Sequence, residues 1–265
     1  MATRVEKLFQ RIKRQTGKAV GDFKLIEAGD RIAVGVSGGK DSYTLLHVLE
    51  ALRKKAPVDF ELVAVNVDSG FPGYRKEVIE QHLQDHRFDY RMVPTNCYQI
   101  IEEKRRPGTS YCSFCARLRR GVLYKQADEL NCNKIALGHH LDDFIETSLL
   151  NQFYTSTLAA MSPKLLADSG RHTVIRPLVY VEESDIIEFS RLSSYPVICC
   201  ACPVCGVVEQ QRQRMKQLVT ELSKEIPQIR RSMLGSLGNV HPRHLLDRTL
   251  NNPGNASLPE EGAGR

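Results

Sequence analysis

Arg31-Ile32-Ala33-Val34-Gly35-Val36 runs directly into Ser37-Gly38-Gly39-Lys40-Asp41-Ser42, and apolar Leu45, Leu46, Leu49 and Leu52 follow. A short aliphatic run, a glycine turn and apolar residues at helical spacing read as buried strand, tight loop and amphipathic helix. A loop of this kind offers backbone N–H donors with a helix N-terminus behind them, which is what a phosphate needs. Gly38 and Gly39 allow close approach, and the hydroxyls of Ser37 and Ser42 add donors. The loop is not a Walker A loop, because Asp41 follows Lys40 and the required earlier glycine is missing. Nor does it read G-x-G-x-x-G, so a dinucleotide site is not expected.

Working outward, Leu62-Val63-Ala64-Val65-Asn66-Val67 reads as a second buried strand, ending at Asp68-Ser69-Gly70. A helix over about 74–86 leads to a third strand, Tyr90-Arg91-Met92-Val93. A further helix over about 112–130 leads to a fourth strand, Lys134-Ile135-Ala136-Leu137-Gly138. Strands alternating with helices predict an α/β fold: a mostly parallel sheet with helices on both faces. Ligands of such sheets bind beyond the carboxyl ends of the strands. The glycine loop, Asp68 and Gly138-His139-His140 all fall there.

Val5, Leu8, Phe9 and Ile12 put an apolar stripe on a basic helix within 1–25. Past about 155 the pattern loosens into a short strand before Arg176-Pro177-Leu178, a helix from Ser184 to Leu192 and a cysteine-dense loop over 199–206. A charged helix follows from about Val208 to Lys224. The expected organisation is a basic N-terminal helix (1–25), a nucleotide domain (26–205) carrying Cys112 and Cys115 on an insertion, and a helical extension (206–250). Residues 251–265 are expected to be a disordered tail.

The net charge of +6 is modest, but its distribution is uneven. Cations crowd the first helix, Lys104-Arg105-Arg106, Arg117 with Arg119-Arg120, and Arg212 with Arg214 and Lys216. Such clusters suit phosphate-rich ligands, RNA included, and equally suit solvated helix faces. No run approaches about 18 apolar residues, so no membrane span is expected. No secretory signal is read, and the eight cysteines are expected as thiols in a reducing, cytoplasmic setting. Cys97 and Cys132 stand alone and read as buried apolar residues. Cys112-Ser113-Phe114-Cys115 and Cys202-Pro203-Val204-Cys205 are two C-x-x-C pairs, suited to a Cys₄ zinc site or an iron–sulfur cluster if the fold brings them together. Asp142-Asp143 open the helix after the fourth strand and are candidate Mg²⁺ ligands or helix caps.

Ser37 to Ser42 resembles the Ser-Gly-Gly-x-Asp-Ser signature of the PP-loop ATPases, which split ATP to AMP and pyrophosphate to activate a carbonyl oxygen. Within that superfamily the chain resembles the tRNA 2-thiocytidine synthetases (TtcA). The stretches that carry the resemblance include Tyr111 to Gly121, Ile135 to Asp143, Val174 to Leu178 and Cys202 to Gly206. The resemblance implies ATP-dependent thiolation of cytidine 32 in the tRNA anticodon loop, by a cytoplasmic homodimer supplied with sulfur by a cysteine desulfurase or another sulfide donor. It implies an ATP site at Ser37, Gly38, Gly39, Lys40, Asp41, Ser42, Asp68 and Gly138, with Mg²⁺ on Asp142 and Asp143. It also implies a [4Fe–4S] cluster on Cys112, Cys115 and Cys205, with one iron open to hydrosulfide. Asp143, Arg119 and Cys205 are then the catalytic candidates. Where the family usually has proline before the later pair, this chain has Cys200-Ala201, so Cys202 and Cys200 are alternative third ligands. Other readings are a PP-loop thiolase of uridine, a PP-loop ligase with structural zinc, and a non-catalytic RNA-binding or sulfur-carrier scaffold.

Overall fold

The computed structural model describes residues 3–105, 111–199, 201–202 and 210–247. The alternating pattern folds as anticipated around a six-stranded sheet of order β3-β2-β1-β4-β6-β5. Its strands are β1 (Arg31–Gly35), β2 (Glu61–Asp68), β3 (Tyr90–Pro94), β4 (Lys134–Ala136), β5 (Lys164–Leu166) and β6 (Thr173–Ile175). All neighbours pair in parallel except β5, an antiparallel edge strand on β6 that sequence pattern did not reveal.

The period of two along each strand sorts side chains to opposite faces. Ile32, Val34, Leu62, Ala64 and Ala136 face the larger core, while Ala33, Val63, Val65 and Ile135 face the smaller one. The larger core is covered by α1 (Arg4–Asp22), α2 (Lys40–Arg53), α3 (Lys76–Asp85), α6 (Leu141–Thr155) and α7 (Glu183–Leu192). On the other face α5 (Tyr111–Glu129) lays Leu123 and Ala127 against the sheet. A short α4 (Cys97–Lys104), absent from the sequence reading, precedes it. Ile32 and Leu49 are wholly buried, and truncating such a residue to alanine costs about 2–5 kcal/mol.

The N-terminal helix begins at a capping box between Thr3 and Glu6 and buries Leu8, Ile12 and Ala19. Several of its cations are spent on the neighbouring helix: Arg4 pairs with Glu188 and Arg11 with Asp185. Beyond the sheet, α8 (Gln210–Glu225) buries Met215 and Val219 against Leu141, Ile145 and Leu149 of α6, with α9 (Ile229–Ser236) beside it. The tail expected to be disordered, 251–265, lies outside the described residues. No described helix is long and apolar enough to cross a membrane.

Candidate active site

The order in which strands join the sheet switches sides at β1: the chain proceeds through α2 to β2 and β3 on one side and returns to place β4 on the other. The carboxyl ends of β1 and β4 therefore border a crevice, the usual ligand position in open α/β sheets. A cavity of about 350 Å³ lies there. Its floor is Gly35, Val36, Ser37 and Leu137-Gly138-His139; Asp41, Ser42 and Asp143 form the polar wall; Ala116, Arg119, Arg120 and Leu123 of α5 close it. Apolar Val36, Val65, Val67, Leu123 and Leu137 make a surface suited to a planar base.

The glycine loop is held by its own hydroxyls. Ser42 Oγ donates to the Gly39 carbonyl at 2.8 Å and lies 3.2 Å from the Ser37 N–H. Gly38 has φ +81°, and a Cβ there would meet Ile198 Cγ1 at 2.5 Å and Ile79 Cδ1 at 2.9 Å. Its carbonyl accepts the Ile198 N–H at 3.0 Å, so the segment entering the later cysteine loop is tied to the phosphate loop. At Gly138 a Cβ would press on the Asp41 backbone at 3.1 Å. Gly39 caps α2 without a side-chain bond, so no side chain blocks the first turn.

The adjacent carboxylates Asp142 and Asp143 have different fates. Asp142 is buried, with Oδ2 accepting the Glu183 N–H at 2.7 Å and Oδ1 accepting Arg230 Nε at 2.8 Å. It anchors α6 to α7 and α9 and does not line the cavity. Asp143 does line it; Oδ2 accepts the His140 N–H at 2.9 Å and Oδ1 accepts from Arg212 at 3.1 Å. Asp41 and Asp143 stand 3.7 and 3.4 Å from the same His140 Nε2. Asp41 Oδ1 is buried and takes no aligned hydrogen bond, although Lys40 Nζ is 3.0 Å away. Two converging carboxylates, one with an unsatisfied oxygen, fit an oxygen-preferring dication.

Four expected nucleotide residues do not line the cavity: Gly38 and Gly39 of the loop, and Lys40 and Asp68. Lys40 Nζ is 3.2 Å from Glu183; burial works against its charge, but Asp41 and Glu183 together hold its pKa above the usual lysine value. Asp68 accepts the Gly70 N–H at 2.8 Å and Lys76 Nζ at 3.1 Å, closing the turn after β2.

Sequence reasoning passed over Glu183, Arg176 and Glu146. Glu183 also pairs with Lys216 at 2.5 Å, and Arg212 lies 3.3 Å from Glu146, so the α8 cations serve site carboxylates. Arg176 Nε donates to His139 Nδ1 at 3.2 Å. Burial pushes His139 down to about 4, leaving it neutral at pH 7. Burial pushes Glu146 up to about 7 against the pull of Arg212. Only Arg176 had a visible cue, the Arg-Pro-Leu after a strand; the carboxylates pair through the fold.

The cysteine end lies further along α5. Cys112 and Cys115 are one turn apart, and Cys115 packs with Phe71, Ile101 and Tyr111 in a small core that Ala201 and Cys202 join. The two C-x-x-C segments thus meet. Burial raises the Cys115 thiol, opposed by Arg119; Ser69 hydrogen-bonds it, and Cys97 is close enough to act on it. Cys97 is buried as expected, but beside this site and not apart from it. Cys205 and Cys200 lie outside the described residues. Cys199 is disulfide-bonded, a departure from the all-thiol expectation. Thiols at i and i+3, with Cys202 packed on the same apolar shell, are the kind of donors a thiolate-held metal cluster uses.

The chain belongs to the PP-loop family, whose PP-loop domain matches residues 6–196. Over 252 residues it is 63% identical to a tRNA-cytidine(32) 2-sulfurtransferase of Syntrophotalea carbinolica, covering 95% of this chain and 97% of that one. The same kind of protein from Geobacter metallireducens is 63% identical over 92% of this chain and 95% of its own. Within the PP-loop family the chain therefore groups with the tRNA-cytidine(32) 2-sulfurtransferases. Among solved structures, the U34-tRNA thiolase NcsA from Methanococcus maripaludis with its [4Fe–4S] cluster superposes with TM-score 0.73 at 22% identity, over 89% of this chain and 79% of that one. That likeness is one of fold.

Proposed function

We propose that the chain thiolates cytidine 32 of tRNA at C2, using ATP to activate the C2 oxygen and drawing sulfur from the cysteine end of the site. One observation carries the reading: α5 holds Cys112 and Cys115 on one turn and, within the next three turns, supplies Ala116, Arg119, Arg120 and Leu123 to the cavity wall. A base held between those turns touches both halves of the reaction.

In the first half, the cytosine O2 attacks the α-phosphorus of ATP, an O2–P bond forms, and pyrophosphate leaves with the bonding electron pair. Backbone donors at Ser37 to Ser42 and the start of α2 hold the departing pyrophosphate. Asp41 and Asp143 hold Mg²⁺, which supplies charge neutralisation at the phosphates. Arg119 and Arg120 face the same charge from across the cavity and keep the α-phosphate in line. Neutral His139, held by Arg176, offers a hydrogen-bonding group without adding charge. Asp142, through Arg230 and Glu183, keeps Asp143 in place.

In the second half, sulfide attacks C2, the C2–O2 bond breaks, and AMP leaves with the oxygen. Cys112 and Cys115, with Cys205 or Cys202 as third ligand, hold a [4Fe–4S] cluster, which supplies a binding position for hydrosulfide. The apolar shell of Phe71, Ile101 and Tyr111 keeps water from the activated carbon, where hydrolysis would return cytidine. A homodimer, a cytoplasmic location and a cysteine desulfurase as sulfide donor belong to the same reading.

The test is anaerobic incubation of cluster-loaded protein with ATP, Mg²⁺, sulfide and unmodified tRNA, followed by mass spectrometry of the nucleosides. 2-Thiocytidine with equimolar AMP and pyrophosphate is expected. Thiolated uridine would move the assignment to another base, and colourless zinc-loaded protein forming AMP without thiolation would move it to a ligase.

A further inference from the structure

Away from the cleft, three histidines converge between α2 and α3. His47 lies on α2, His82 on α3, and His86 caps the C-terminus of α3. One nitrogen from each falls within 4.8 Å of the others. Among the described residues, this is the one group of three such side chains whose donor atoms converge so closely. His82 is buried, His47 half-buried and His86 exposed, so the cluster opens to solvent at one corner.

The arrangement has the marks of a ligand set. His47 Nε2 and His82 Nε2 face each other at 2.9 Å. Nitrogens bound to one tetrahedral zinc at about 2.0–2.1 Å stand roughly 3.3 Å apart, so an ion needs only a small separation of these rings. His86 Nδ1 lies 2.9 Å from the His82 carbonyl. Donation of Nδ1–H to that carbonyl leaves His86 Nε2 with its lone pair, the backbone-carbonyl support that metal-bound histidines commonly have. The surroundings restrain the rings: Tyr195 stacks on His47 at 5.1 Å, Phe88 meets it edge-on at 5.1 Å, and Tyr43 packs against His82 at 4.6 Å. Glu50 and Asp85 are the carboxylates that act on these rings, and both do so through charge. Burial holds His47 down to about 3 and His82 to about 4, so both are neutral imidazoles with an available lone pair.

We propose that His47, His82 and His86 form a second metal site, for zinc or a similar nitrogen-preferring divalent ion, distinct from the cysteines. Three imidazoles with solvent in the fourth position match the ligand preference of such ions and exclude Mg²⁺ and Ca²⁺, which take oxygen. The role that follows is mechanical. The ion pins α3 to α2, and these helices back the phosphate loop: α2 starts at Lys40, and Ile79 of α3 packs under Gly38.

The experiment uses cluster-loaded full-length protein, so that the cysteines are already occupied. It is dialysed against Zn²⁺, its metal content measured, and the zinc environment read by X-ray absorption. About one zinc per chain is expected, with nitrogen or oxygen neighbours at about 2.0–2.1 Å and a raised Tm. His86→Gln, at an exposed position, should fold normally, bind zinc at least about 10-fold more weakly and lose the Tm rise; His47→Gln should do the same. Zinc ringed by sulfur at about 2.3 Å, equal binding by His86→Gln, or no retained zinc would each overturn the proposal.

Discussion

The two ends of the cleft are built differently. At the phosphate end, Ser37 to Ser42 rest on β1 and α2, whose side chains belong to the main core, and polar groups there are wired to one another. At the cysteine end, Cys115 belongs to a core of four buried residues off the edge of the sheet, assembled from α4, α5 and the segment at Ala201-Cys202. The first end owes its shape to secondary structure and burial. The second places Cys112 beside Cys115, whose thiolate burial disfavours, so a metal cluster is what would hold it. Nucleotide chemistry should therefore survive damage to the cysteine end, and the reverse should fail, because sulfur has nothing to displace until the oxygen is activated.

The sharpest way to break that contrast is Cys115→Ala. Thiolation should fall below detection while ATP affinity, measured by calorimetry, stays within about twofold; joint loss would show that the cysteine end supports the fold of the other. Asp143→Asn comes next, with AMP formation slowed by about 10²–10³-fold and little change in Tm, because the amide oxygen can still accept the His140 N–H while the charge at the phosphates is lost. Its neighbour should behave oppositely. Asp142→Ala strands Arg230 and the Glu183 N–H, costing about 1–3 kcal/mol, and thermal unfolding should register it as a lower Tm. The last contrast is one of pH and belongs to Glu146. Its folded pKa of about 7 lies above the unfolded value near 4.5, so the native state binds more protons between those limits. Wild-type stability should therefore fall as pH rises from about 4.5 to 7, relative to Glu146→Gln, in paired denaturant titrations. A flat difference would mean that Arg212 keeps the carboxylate ionised.

The phosphate end was legible in the sequence because it is local. Strand, glycine turn and helix are consecutive, and the unbroken apolar runs Ile32 to Val34 and Leu62 to Val65 announce a sheet buried on both faces. The strand-end positions of Ser37, Gly138 and Asp143 follow from the same order. Asp68 was placed at the right strand end, but Lys76, eight residues on, holds its carboxylate in a turn off the cavity. Adjacent Asp142 and Asp143 could not be told apart, since Arg212 and Arg230, from two later helices, decide which of them faces ligand. The antiparallel β5 and the histidines of α2 and α3 were equally hidden, because three-strand spacing and helix phase emerge only on packing. At the cysteine end spacing revealed two pairs, and only the fold brought Cys202 to the small core that holds Cys115.

The hydrogen bond from Ile198 to Gly38 sets a reach. From Ile198 to Cys202 there are four peptide steps, and at about 3.3–3.6 Å each a stretched chain spans no more than about 14 Å. A thiol on so short a leash is confined to the neighbourhood of the phosphate loop, whatever the surrounding loop does. Its local concentration there is set by that length, and for a flexible linker it falls roughly as the −3/2 power of added chain. The gap between anchor and sulfur is thus a ruler, and lengthening it by a few residues would dilute the thiol without altering any group that does chemistry.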